Sequence, residues 1–105
     1  MNVETAARLL VESGYASRDR PNTDPALDGV ATYSNSYYLS VAGGWQRVDP
    51  INNEAQRQAL LEYLKIDVNM MKTQWCAVNE AAARVGNTRK EAENACIEAC
   101  LEAMK

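Results

Sequence analysis

The chain has 105 residues, of which 47% are hydrophobic and 24% are charged, and its net charge is −3. These values are typical of one folded domain, residues 1–105, and they exclude an intrinsically disordered chain. The acidic balance provides no cationic surface for phosphate, so nucleic-acid binding is not expected.

The beginning of the chain does not resemble a secretion signal, because no charged stretch precedes an unbroken apolar run. No stretch approaches the roughly 18 apolar residues of a membrane-spanning helix. We therefore expect a cytoplasmic protein that does not enter a membrane, in the host cytoplasm if a phage encodes it.

The first element is predicted to be a short helix. Asn2 is a suitable N-cap and Ser13-Gly14 a suitable end, and the apolar side chains between them are Val3, Ala6, Ala7, Leu10 and Val11. The polar stretch 15–29, which contains two prolines, is predicted to be a surface connector.

Residues from about 31 to 48 are predicted to form a β-hairpin. Apolar side chains alternate, Gly43-Gly44 is a two-residue turn signal, and Trp45 begins a returning strand. The alternating residues are Ala31, Tyr33, Tyr37, Leu39 and Val41. This pattern predicts that Tyr33 and Tyr37 face the core.

A long helix is predicted from about residue 53 to 85, because residues 52–85 contain no glycine or proline. Apolar residues recur there at steps of three and four. They are Leu61, Leu64, Val68, Met71, Trp75, Val78, Ala82 and Val85. Gly86-Asn87 would then break the helix, and Thr88 with Glu91 would start a C-terminal helix from about 88 to 104. The predicted fold class is α+β, mainly α, with the last two helices forming a helical hairpin.

The second helix of this hairpin would cover half of the first. The other half would expose Leu60, Leu61, Leu64 and Ile66. Such a seam requires a cover, so we predict that the N-terminal helix, the β-hairpin or a second copy of the chain packs there. The last option makes a homo-oligomer.

An alternative interpretation has strands at 65–69 and 74–78, giving an α-β-β-α two-layer sandwich. The matching stretches are Asp49-Pro50 followed by 60–66, Trp75-Cys76-Ala77, Thr88 with Glu91-Ala92, and Ala95-Cys96. In these stretches the chain resembles the NinX-like short phage and prophage proteins, which implies a phage-encoded protein without catalytic residues. Two features favour the long helix instead. The run Ala81-Ala82-Ala83 suits a helix, and Met71-Lys72-Thr73 is poor turn chemistry.

Catalytic and metal-binding residues are scarce in the sequence. Cys76, Cys96 and Cys100 could supply three zinc ligands, but the chain has no histidine and no fourth thiol, so we interpret the cysteines as reduced packing residues. Asp67 and Glu80 are the remaining candidates for a catalytic base. We expect no enzyme activity, metal or cofactor.

The stretch 32–38 combines Tyr, Ser and Asn, as adaptable binding surfaces do, although an ordinary edge strand has a similar composition. The predicted binding residues are Asn35, Ser36, Tyr38, Trp45, Arg47, Arg57 and Tyr63. We predict a small binding protein that sterically occupies a host protein of an antiviral defence system, as an anti-CRISPR protein would. The alternatives are an oligomeric small-ligand or nucleotide sponge, with Arg47, Arg57 or Tyr63 in its pocket, and a structural subunit of a larger assembly.

Overall fold

The computed structural model of the chain describes residues 1–16, 30–42 and 44–104. They form three helices and two three-stranded antiparallel sheets. The elements are α1 (Val3–Glu12), β1 (Val30–Tyr33), β2 (Ser36–Val41), β3 (Gly44–Arg47), α2 (Glu54–Tyr63), β4 (Asp67–Met71), β5 (Gln74–Val78), β6 (Ala83–Gly86) and α3 (Arg89–Ala103). In each sheet the strands lie side by side in chain order. The predicted connector lies mostly within 17–29, outside the described residues.

The prediction of a mainly helical protein with a helical hairpin is wrong, since the predicted helix of 53–85 stops at Tyr63. Lys65 adopts a positive φ of 55°. Its amide donates to the Glu62 carbonyl at 3.2 Å, and the Ile66 amide donates to the Leu61 carbonyl at 2.9 Å. These two bonds form a Schellman motif, which ends the helix with a lysine where a glycine is usual.

Leu61 and Leu64 of the predicted helical seam belong to α2 and its C-cap, but most of the later seam residues lie in strands and point to both faces of the second sheet. Val68 pairs with the fully buried Ala77 and so faces α3. Met71 lies three residues after Val68, an odd number, so it points to the opposite face of the sheet. Val85 points to that opposite face as well, because it pairs with Cys76, the neighbour of Ala77. Steps of three and four therefore came from strands joined by turns and not from one helical stripe.

The strands of the alternative interpretation are close to β4 and β5, but a third strand, β6, completes the sheet. The Asn79 side chain organises the turn before β6, because its Oδ1 accepts from the amides of Ala81 and Ala82, both at 2.9 Å. The Asn79 amide donates to the Ala82 carbonyl at 2.9 Å. These bonds overcome the helix propensity of the alanines.

The predicted hairpin of 31–48 contains three strands, because Ser34 and Asn35 form an extra turn. Their φ angles of 49° and 63° are those of a tight two-residue hairpin loop. In this register Tyr33 pairs with Ser36, and Tyr33 is 74% exposed, so its predicted core position is wrong. Tyr37 does pack against the core. At the second turn Gly44 already pairs with Val41, and Gly43 lies outside the described residues.

The helix starts are as predicted. The Asn2 side chain accepts from the Thr5 amide at 3.1 Å, and the Thr88 side chain accepts from the Glu91 amide at 3.1 Å. For α2 the N-cap is Asn53. Since a cap requires contacts within one turn, local sequence is sufficient to predict it.

One continuous core joins the two sheets. α1 packs on the first sheet and α3 on the second, while α2 contacts both of these helices. The core contains Leu60, Leu61 and Ile66, and Leu64 packs against it. The predicted seam is thus covered within a single chain, and the structure gives no support to a homo-oligomer formed through it. The described helices include none that is long and apolar enough to cross a membrane.

Candidate binding face

The outer side of the first sheet carries most of the aromatic side chains predicted to bind. Val30 and Leu39 pair with each other and are completely buried, so their neighbours along each strand point away from the core. We call this side the aromatic face. Its described residues are Ala31, Tyr33, Ser36, Tyr38, Ser40, Trp45 and Arg47.

Tyr38 lies at the centre of the aromatic face. Arg47 is directly opposite on β3, and Ala31 is directly opposite on β1. Trp45, which pairs with Ser40, is the diagonal neighbour of Tyr38. Side chains directly opposite in antiparallel strands have Cβ atoms about 5 Å apart, and diagonal neighbours are about 7–8 Å apart. A tyrosine, a tryptophan and an arginine are therefore contiguous.

The accessible part of the aromatic face is formed by its larger side chains. Tyr33 is 74% exposed and Trp45 is 44% exposed, and Arg47 is exposed as well. Tyr38 is partly buried, whereas Ser40 is almost completely buried. A partner would therefore meet aromatic edges and a guanidinium.

The turn at Ser34-Asn35 extends the aromatic face at one end. Both residues are exposed, and their positive φ angles fix the direction in which the chain reverses. Tyr33 and Ser36 flank the turn as a strand pair. Asn35 thus lies beside Tyr33, and both line one surface depression.

Arg47 is the charged group among the described residues of the aromatic face. Within the described part of the chain, its side chain makes no ion pair or hydrogen bond. Arg57 and Arg89, by contrast, both bind Glu93. The guanidinium of Arg47 is therefore available to an incoming group.

Four of the predicted binding residues, Ser36, Tyr38, Trp45 and Arg47, are brought together on the aromatic face, and Asn35 lies in the adjoining turn. Sequence reasoning missed Tyr33. The signal that could have placed it outside was Ser34-Asn35, two residues that readily form a tight turn. A two-residue turn at 34–35 pairs odd-numbered residues of β1 with even-numbered residues of β2. Tyr33 therefore lies on the same face as Tyr38 and not on the face of Tyr37.

The other two predicted binding residues are elsewhere. Arg57 is buried, and its Nε lies 3.0 Å from Glu93 Oε1. Tyr63, on α2, donates to Glu12 Oε2 at 2.9 Å. Tyr63 also lines surface depressions of about 490 and 800 Å³, and the ligand sponge stays a prediction.

The buried Arg57 and Glu93 belong to a satisfied polar network. Arg57 also donates to the carbonyls of Pro50 and Ile51, at 3.2 and 3.0 Å. The second oxygen of Glu93 accepts from Gln58 at 3.2 Å and from Arg89 at 3.1 Å. A carboxylate held in this way links α2 to α3 and has no free position for a substrate.

The two carboxylates proposed from sequence as catalytic bases, Asp67 and Glu80, are exposed. With Tyr63, Leu64, Lys65, Val78, Asn79, Ala81 and Met104 they line a concavity of about 800 Å³. Most of these side chains are exposed, which is typical of a surface depression and not of an enclosed ligand site.

The cysteines are free thiols. Cys96 and Cys100 are buried, and Cys76 is partly buried. Burial, together with the neighbouring Cys100, raises the pKa of the Cys96 thiol to about 11, which keeps it protonated near neutral pH. The described residues contain no group of three or more His, Cys, Asp or Glu side chains placed to hold a metal ion.

No protein-family model matches the chain, and the searches of curated proteins and of solved structures found no similar protein. The resemblance to NinX-like proteins thus rests on the short sequence patterns given above, and it stays a prediction.

Proposed function

We propose that the chain is a small non-enzymatic binding protein that occupies a surface of another protein with its aromatic face. The observation that carries this proposal is the cluster of Tyr33, Tyr38, Trp45 and Arg47 on one side of one sheet. Tyrosine, tryptophan and arginine are the residue types that supply most of the binding energy in protein interfaces.

The sheet also lowers the entropic cost of binding. Side chains on paired strands have little freedom to move relative to one another, and β2 is held on both sides by its neighbours. Aromatic side chains add contact area while having few rotatable bonds. A pre-organised surface loses less entropy on association, so more of the contact energy contributes to affinity.

The outer face of the second sheet provides an internal comparison. It is also exposed, with Met71 at 61% and Val85 at 58%. The described residues on that side include no aromatic side chain and no arginine. Simple exposure of apolar atoms therefore does not distinguish the two faces, whereas the interface-forming residue types do.

Steric occupation is the mechanism that we propose, because an aromatic surface can cover a partner's functional site without reacting with it. The source in a phage and a target in a host antiviral defence system remain predictions. They rest on the sequence resemblance.

Affinity capture with matched variants tests the proposal. Wild type, Trp45→Ala and the control variant Val85→Ala would be immobilised as full-length chains and exposed to lysate of the source cells or their host. We expect one stoichiometric protein to be retained by wild type and Val85→Ala and to be lost with Trp45→Ala, since truncating a tryptophan that anchors an interface costs about 2 kcal/mol or more.

Circular dichroism must first show that all three variants keep the same fold. If the retained protein binds Trp45→Ala as strongly as wild type and Val85→Ala releases it, the binding surface lies on the second sheet and the proposal is wrong.

A further inference from the structure

We propose that the partner presents a carboxylate to Arg47, so that the aromatic face recognises an acidic residue flanked by apolar ones. This inference rests on the proposed function and adds the chemistry of the partner. It starts from the contrast between the aromatic face and the rest of the chain.

The chain as a whole is acidic, with a net charge of −3, but the described residues of the aromatic face carry a positive charge and no negative one. Three of the other described arginines lie beside carboxylates of the chain, and Arg84 donates to the Ala83 carbonyl at 2.8 Å. Arg8 lies 3.5 Å from Glu4, and both Arg57 and Arg89 are within 3.1 Å of Glu93. Among the described residues, by contrast, no carboxylate is paired with the guanidinium of Arg47, so it can accept a carboxylate from a partner.

The surroundings of Arg47 favour a carboxylate ligand. The guanidinium has five N–H donors in one plane and can bind both oxygens of a carboxylate with parallel hydrogen bonds. Tyr38 lies across from Arg47, and Trp45 is two residues before it on the same side of β3. When a partner covers these rings, water is excluded and the hydrogen bonds become stronger.

The same residues offer a less favourable site to a nucleic acid. Exposed tyrosine and tryptophan rings can stack on bases, but backbone binding needs several cations along the strand. Among the described residues of the aromatic face, the cationic side chain is Arg47, and the chain is acidic elsewhere. An acidic protein segment therefore fits the charge of the face better than a polyanion.

Selection from a displayed random peptide library tests the inference without requiring a known partner. The full-length chain would be immobilised, peptides that also bind Trp45→Ala would be removed, and the affinities of the remaining peptides would be measured against Arg47→Ala, Arg47→Lys and Arg47→Glu. We expect enrichment of Asp or Glu beside an apolar residue. Arg47→Ala should weaken binding about tenfold or more, Arg47→Glu should weaken it further, and Arg47→Lys should weaken it least.

The outcomes separate this inference from the proposed function. In one outcome the selected peptides require Trp45 but lack acidic residues, and in another they bind Arg47→Ala as strongly as wild type. Either result contradicts a carboxylate ligand for Arg47 and still supports the aromatic face as the binding surface. A selection in which no peptide distinguishes wild type from Trp45→Ala counts against the proposed function itself. Binding of an oligothymidylate that is lost in both Trp45→Ala and Arg47→Ala would overturn the acidic protein partner in favour of a nucleic acid.

Discussion

The ion pair between Arg57 and Glu93 joins α2 to α3, and their side chains are 7% and 2% exposed. Removing Arg57 leaves the buried Glu93 with Arg89 as its remaining ion-pair partner, so the cost should lie at the low end of the about 3–5 kcal/mol that is typical of breaking a buried pair. We expect Arg57→Met to lower the free energy of unfolding by that amount in urea denaturation. Replacing both residues by apolar ones, as in Arg57→Met with Glu93→Leu, should cost clearly less. Equal losses in the single and double variants would contradict a coupled pair.

The buried Cys96 thiol should make the free energy of unfolding decrease as the pH rises into the alkaline range. Its pKa rises from the usual 9.0 to about 11 in the folded chain, because burial and the adjacent Cys100 disfavour the thiolate. Below pH 9 the thiol is protonated in both states. Between about pH 9 and 11 the unfolded chain releases the proton while the folded chain retains it, so stability falls as pH rises.

Urea denaturation midpoints of wild type and Cys96→Ala, measured across this pH range, check the prediction. Tyrosines and lysines also titrate there, and the alanine variant accounts for their contribution. The wild type should lose more stability than Cys96→Ala between the two pH values. Parallel curves would show that the thiol ionises equally well in both states.

At the scale of elements, the β4–β5 turn retains a residue that its backbone disfavours. Lys72 has a φ of 55°, a region that suits glycine better than a side chain with a Cβ. We expect Lys72→Gly to stabilise the protein by about 0.5–1 kcal/mol, because the relieved strain exceeds the added entropy of the unfolded chain. Thermal unfolding followed by circular dichroism would measure this change.

Thr73→Gly is the matched control at the neighbouring position. Thr73 is not among the residues with a positive φ, so glycine relieves no strain there and should destabilise the protein slightly. Destabilisation by Lys72→Gly of the same size as by Thr73→Gly would show that Lys72 is not strained in solution.

These elements also show which parts of the fold the sequence could predict. The caps at Asn2 and Thr88 depend on contacts within one turn, so local sequence is sufficient to predict them. The end of α2 depends on the positive φ of Lys65, and a lysine, unlike a glycine, does not indicate a positive φ in the sequence. Without a glycine at this position, apolar spacing alone predicts a helix that continues across β4 and β5 and into β6.

At the scale of the whole molecule, the two sheets have different outer faces around one core. The residue types of the aromatic face are recognisable from composition, which is sufficient to predict Tyr38, Trp45 and Arg47 as binding residues. Their common location depended on the β2–β3 register, which pairs Tyr38 with Arg47. Arg57 was predicted to bind from its residue type alone, but tertiary packing buries it against Glu93.

The two tryptophans allow the most direct test, since Trp45 lies on the aromatic face and Trp75 lies in the second sheet, under Arg89. Titrating ¹⁵N-labelled protein with the captured partner would follow both indole N–H signals by NMR. The proposed binding face predicts a shifted or broadened Trp45 signal, perturbed amides at Tyr38 and Arg47, and an unchanged Trp75 signal. Perturbation of Trp75 with an unchanged Trp45 would contradict it.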